Sequence, residues 1–211
     1  MAQYKCKLPA VTEHNRLSMI AVGYVLFCLF YLGAPHLVWR SPVTVPTLWL
    51  DTLIPFMPLA VWVYLSQFAL LFCAIWYAPN TMTRSIAFYS MLLASASAAL
   101  IFIVFPTILP RYPVEDSGTT ALLWQGLYMV DVPSNCFPSL HAALAIIAVF
   151  PLYQRDGIFK IIAPLWALAI IFAAMATKQH VVLDILCGVV LALPCLILIT
   201  RYFKKDAYDM A

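Results

Sequence analysis

Apolar residues in this chain come in long unbroken runs, and the polar residues collect between them. That pattern differs from the alternation of a half-buried strand and from the one-sided stripe of a surface helix. A helix needs about 20 apolar residues to cross the hydrocarbon core of a bilayer. Six runs answer to that: Leu17–Ala34, Ile54–Tyr77, Ile86–Phe105, Ser139–Tyr153, Ile158–Thr177 and Val181–Thr200. The fourth is short, and its polar start puts its first turn in the interface. Pro55, Pro58, Pro164 and Pro194 are tolerable inside such helices, each as the site of a kink. The pattern predicts an all-α integral membrane protein with six transmembrane helices. It forms one domain over residues 1–211, with a core at roughly 50–190. Lys5, Lys7 and Arg16 before the first run imitate a signal peptide. The run is long for one, lacks a clear small-residue cleavage site and is followed by more spans, so it reads as a membrane helix.

Composition agrees. The 211 residues are 64% hydrophobic and 10% charged, against about 25% charged in a soluble domain. The net charge of +3 is scattered without a basic stripe, so no nucleic-acid partner is expected. The cysteines, at 6, 28, 73, 136, 187 and 195, show no metal spacing. Most sit in apolar runs, where they act as small buried hydrophobes rather than as a disulfide framework.

Lysine and arginine asymmetry sets the expected orientation. With the N-terminus inside, the cytoplasmic pieces are residues 1–16, the Pro79–Arg84 turn, the Gln154–Gly157 turn and the tail after Thr200. With adjoining helix ends they hold Lys5, Lys7, Arg16, Arg84, Arg155, Lys160, Arg201, Lys204 and Lys205. Only Arg40, Arg111 and Lys178 fall on the other side. Both termini are therefore expected in the cytoplasm. Ser95–Ser97 and the alanines around them fit close helix packing.

The outside loops carry the candidate chemistry. The first, His36 to Leu53, holds Arg40 and Asp51. The second runs from Pro106 to Phe137 with turn signals at Pro106, Pro110, Pro113 and Asp116-Ser117-Gly118, and Leu122–Val130 predicts a short interfacial helix. Loops of this length are usually functional. It ends at Asn135-Cys136-Phe137-Pro138-Ser139-Leu140-His141, on the same side as Lys178-Gln179-His180 and Asp184. Ionisable groups at the mouth of a membrane helix are costly to desolvate and read as functional by default.

His180 and Asp184 lie one helical turn apart, so the carboxylate can fix the tautomer of the ring. Ser139 suits a helix cap, and the first-turn N–H groups from Leu140 to Ala142 form a ready anion site. Arg111 and Lys178 supply positive charge. Taken singly, Asp184 could tie helices together, Arg111 anchor the interface and Lys178 snorkel to it. Together they suit phosphoryl transfer, where catalysis is mostly positioning and charge stabilisation.

Phe137-Pro138-Ser139-Leu140-His141 and Thr177-Lys178-Gln179-His180 with Asp184 resemble the type 2 phosphatidic acid phosphatase superfamily. Phe105-Pro106-Thr107 with Pro110-Arg111-Tyr112-Pro113 resembles the region of its first motif. The likeness is nearest to the branch of sphingomyelin synthases, inositol phosphorylceramide synthases and related bacterial lipid phosphatases. By that resemblance His180 is the nucleophile, oriented by Asp184, and His141 the acid and then the base. Ser139, local N–H groups such as that of Leu140, and Arg111 hold the phosphate. The family's first-motif lysine is Val104 here, the proline after its arginine is Tyr112, and its Ser-Arg before the second histidine is Ala173-Ala174. The glycine before the first histidine is Leu140, which keeps the N–H. Lys178 is expected to replace the missing cations in part.

The resemblance implies a lipid phosphate phosphatase, or alternatively a phosphotransferase that moves a phospho-headgroup to an alcohol. A lipid-binding or transport protein without turnover is the remaining class. The expected partners are a lipid phosphate or phospholipid and the membrane. No metal or other cofactor is implied, since the histidines lack a third ligand. The short tails point to a bacterial inner membrane with the site facing the periplasm.

Overall fold

The computed structural model describes residues 8–114, 117–131 and 133–208. Lys5, Cys6, Lys7 and Asp116, which entered the sequence reading, lie outside them. The described part is all-α apart from one minimal pair of strands. Its helices are α1 (Arg16–Gly33), α2 (Trp49–Leu53), α3 (Ala60–Leu65), α4 (Gln67–Trp76), α5 (Thr81–Val104), α6 (Gly118–Val130), α7 (Leu140–Tyr153), α8 (Phe159–Ala176) and α9 (Val182–Tyr208). Four helical stretches are long and apolar enough to cross a membrane: Arg16–Leu37, Thr81–Val104, Phe159–Ala176 and Val182–Lys205. Ala60–Trp76 and Leu140–Tyr153 are apolar but shorter.

Three sequence-drawn boundaries change. The second run does not start its helix at Ile54. Residues 54–59 are not helical, so Pro55 and Pro58 precede α3 instead of kinking it. The run is also split at Ser66, whose Oγ accepts a hydrogen bond from Trp166 Nε1 at 2.8 Å. The Pro79–Arg84 turn is mostly helix, because the Asn80 side chain caps α5 by accepting the Thr83 N–H and the helix begins at Thr81. The expected interfacial helix is present but starts at Gly118, which takes φ +71°.

α7 is the hub. It packs against α4, α5, α8 and α9, and Ala142, Ala143, Ala145 and Ala148 are completely buried on it. Small side chains let four neighbours approach one helix, which is how helices associate where lipid tails remove the hydrophobic driving force. Its 14 residues span roughly 21 Å, against about 30 Å of hydrocarbon. The helix that Ser139 caps is thus shorter than the hydrocarbon is thick, and the segments flanking it must make up the difference in any crossing. α1 buries no residue and packs at the periphery on α4 and α5.

Three arginines close the far end of the bundle. Arg84 donates to Ile75 O and Ala78 O, Arg16 to Trp76 O and Arg155 to Tyr77 O. These are the last carbonyls of α4 and its exit, which carry the negative end of the helix dipole. At the opposite end the loops are stitched together. The parallel strands β1 (Val43–Thr44) and β2 (Thr107–Ile108) pair, and Thr107 also bridges to Asn135. α6 is pinned to α3 and its lead-in by Trp124 Nε1 donating to Pro58 O and Trp62 Nε1 donating to Thr120 Oγ1.

Candidate active site

The site is built where α8 ends, α9 begins and α7 begins. Thr177 closes α8 by donating its hydroxyl to Ala173 O at 2.7 Å. Lys178 then takes the left-handed conformation at φ 55°, the position after a helix where glycine is usual. The amides of Gln179 and His180 both return to Ala174 O, which turns the chain back on itself. A lysine held in this conformation costs about 1 kcal/mol, and such residues cluster at functional sites.

Asp184 fastens the next turn. Its Oδ2 accepts the Val181 N–H at 3.0 Å, the reach-back of a residue in the first turn of α9. The same oxygen lies 3.5 Å from His180 Nδ1. The backbone carbonyl of Asp184 accepts the Ser139 N–H at 2.9 Å, which ties α9 directly to the start of α7. Ser139 caps α7 by accepting the Ala142 N–H. Gly188 permits this approach: a Cβ there would meet Ser139 O at 2.2 Å and Ala142 Cβ at 3.1 Å.

The imidazoles of His141 and His180, far apart in sequence, come to 5.8 Å between ring centroids. The His141 ring also stacks on Tyr64 of α3, at 4.0 Å and 20°. His180 borders two cavities. One is a niche of about 20 Å³ lined by Tyr31, Tyr64, Arg111, Asp131, Asn135 and Lys178, among others. The other holds about 580 Å³ and has Ile54, Phe56, Tyr112 and Met175 as apolar wall beside Arg111 and Lys178. His141 lines neither, although Tyr64, on which its ring stacks, lines the niche.

Arg111 and Lys178 line both cavities beside His180, but both cations are engaged. Arg111 donates to Tyr128 O and Asp131 O at the end of α6 and covers the Tyr128 ring. Its Nε is buried with no hydrogen-bond partner. Lys178 Nζ donates to Asp51 O and Ile54 O at the end of α2. Ser139 is completely buried with its hydroxyl committed to the cap, and the Leu140 side chain packs into the core with α5 and α9. The Leu140 N–H, in the first turn of α7, lies outside the helical ladder.

Buried polar atoms without a partner mark the place. Among the described residues they are seven, and five belong here: Arg111 Nε, Asn135 Oδ1, His141 Nε2, His180 Nδ1 and Asp184 Oδ1. Native proteins leave few such groups, and each calls for an explanation such as a ligand or a catalytic role. No three metal-ligating side chains converge among the described residues.

Several participants had no local signal. Asp51 Oδ1 accepts the Val182 N–H and Oδ2 the Leu48 N–H, so one carboxylate joins α2 to the start of α9. Asp131 accepts the Tyr31 hydroxyl beside the niche, and burial raises its carboxyl above the usual range, against the opposing pull of Tyr31, His180 and Arg111. Tyr64 sat inside an apolar run. In the sequence Asp51 reads only as a loop residue.

A family model described as the PAP2 superfamily matches residues 35–198. The chain belongs to the PAP2 superfamily, and its helices make it a membrane protein. Membership supports phosphatase or phosphotransferase chemistry on lipid phosphoesters. No curated protein matches the chain.

Proposed function

We propose that this chain is a lipid phosphate phosphatase that works through a phosphohistidine on His180. The observation that carries the reading is the spacing of the two imidazoles, 5.8 Å apart, with Asp184 3.5 Å behind His180 Nδ1. Asp184 favours a proton on Nδ1 and leaves Nε2 as the nucleophile. Nε2 attacks phosphorus, an N–P bond forms and the P–O bond to the lipid breaks. His141 protonates the leaving oxygen, then takes a proton from water as the water oxygen attacks phosphorus and the N–P bond breaks. The products are a lipid alcohol and inorganic phosphate.

In this reading Arg111 Nε and the Lys178 ammonium face the phosphate, Ser139 contributes by capping the first turn that presents the Leu140 N–H to it, and the lipid end takes the larger, apolar-walled cavity. α3 with α4, and α7, complete six crossings. The arginines around the end of α4 support cytoplasmic termini, and with them an extracytoplasmic site, periplasmic if the membrane is a bacterial inner membrane.

The test is incubation of purified protein with labelled lipid phosphates, with and without alcohols. Inorganic phosphate as product, an acid-labile phosphoenzyme, and loss of both in His180→Ala are expected. A new phosphodiester would instead assign the transferase reaction of the sphingomyelin synthase type. Unchanged activity in His180→Ala would remove the enzymatic reading and leave lipid binding or transport.

A further inference from the structure

The acid and the nucleophile of this site are held in different ways. His180 has a carboxylate 3.5 Å from Nδ1. His141 has none within hydrogen-bond reach among the described residues, and its Nε2 is buried without a partner. What fixes the plane of the His141 ring is an aromatic face, Tyr64, stacked at 4.0 Å and 20°. Tyr64 is 2% exposed and is itself held in place, in a cluster with Ala142, Ala173, Ala174 and Ile185. The methyl groups of Ala173 and Ala174 leave room for a ring where longer side chains would not.

We infer that Tyr64 is a positioning residue for proton delivery by His141, clamping the imidazole against α3 so that it meets the leaving oxygen at His180. The inference rests on the acid role proposed for His141. A ring without a hydrogen-bonded orienter is set by packing alone, and a proton donor must be within about 3 Å of its target to act. A flexible aliphatic side chain at position 64 would let the ring turn and would remove the aromatic face.

A general acid matters only when the leaving group is poor. An alkoxide leaving a lipid phosphate needs the proton, whereas a nitrophenolate does not. The test compares a diacylglycerol phosphate with an alkyl-substituted nitrophenyl phosphate, in detergent, for the wild type and for Tyr64→Phe, Tyr64→Leu, Tyr64→Met and His141→Ala. Tyr64→Leu and Tyr64→Met should lower kcat/KM, which covers the steps through departure of the leaving group, by about 10- to 100-fold on the lipid phosphate. On the aryl ester kcat/KM should hold within about threefold, because the base role of His141 toward water falls after that departure. Tyr64→Phe keeps the face and should stay near wild type on both. The retained aryl rate also reports that the variants fold.

Equal losses on the two esters in Leu and Met, or no loss in either, overturn the inference. If His141→Ala itself fails to discriminate between the esters, the acid role falls and the inference with it. Discrimination by His141→Ala but not by the Tyr64 variants removes the inference alone. A wild type unable to cleave the aryl ester overturns the phosphomonoesterase reading beneath both.

Discussion

Gly188→Ala is the sharpest perturbation available, because it adds a single uncharged carbon yet strikes the joint of the site. The new Cβ would lie 2.2 Å from Ser139 O, a backbone atom that no rotamer change can move. An ordinary contact between carbon and carbonyl oxygen is about 3.3 Å, so α9 and the start of α7 must separate by about 1 Å. The Ser139 N–H to Asp184 O bond, now 2.9 Å, spans that gap. Overpacking of this kind costs about 1–3 kcal/mol, offset by about 1 kcal/mol for alanine over glycine in a helix. Stability should therefore fall by no more than about 2 kcal/mol. Activity should fall much further, since a displacement of about 1 Å between reacting groups costs on the order of 100-fold. Gly33→Ala and Gly126→Ala are the controls, as neither added Cβ meets anything within 4 Å. The assay is kcat on a lipid phosphate beside a thermal melt for all three variants. A Gly188→Ala protein with wild-type turnover would refute the idea that this contact sets the spacing of His141 and His180.

Other consequences can be checked with the same preparation. Asp51→Ala strips the acceptor from the Leu48 and Val182 amides and should lower stability by about 1–3 kcal/mol, seen as a reduced Tm. Asp131 has a carboxyl raised by burial, so its folded form holds a proton more tightly than the unfolded chain. Its contribution to stability is present below the ordinary carboxylate pKa and is lost as pH rises through the raised value. The wild-type Tm should fall across that window, and Asp131→Asn should flatten the slope. Lys178→Ala removes the ammonium from Asp51 O and Ile54 O and from the wall of both cavities. Turnover of lipid phosphate should drop, and undiminished turnover would remove Lys178 from the phosphate-binding set.

Much of the architecture was legible in the chain because a membrane helix is a local property. Twenty apolar residues announce it whatever lies nearby, and Ser139 announces the start of α7 through its own capping chemistry. Helical spacing pairs His180 with Asp184 on paper, but α9 starts at Val182, and it is the reach-back of Asp184 over the helix start that brings the two together. The proline-rich lead-in to α3 reads as helix in the sequence because its apolar composition continues that of the helix it precedes. Hydrogen bonds between Lys178 and the carbonyls of Asp51 and Ile54 help hold that lead-in in its non-helical form.

What the sequence determined by itself is the membrane class, the helical runs and the two histidine motifs with their acidic partner. Tertiary structure alone decided that Tyr64 lies under His141, that Asp51 links α2 to α9, that Asp131 turns into the niche and that Gly188 admits Ser139. Each of these depends on a contact between segments remote in the chain, and a residue buried in an apolar run or set in a loop carries no periodicity that points to its partner. The chemistry was written locally; the distances that make it work arise only when α3, α7 and α9 pack.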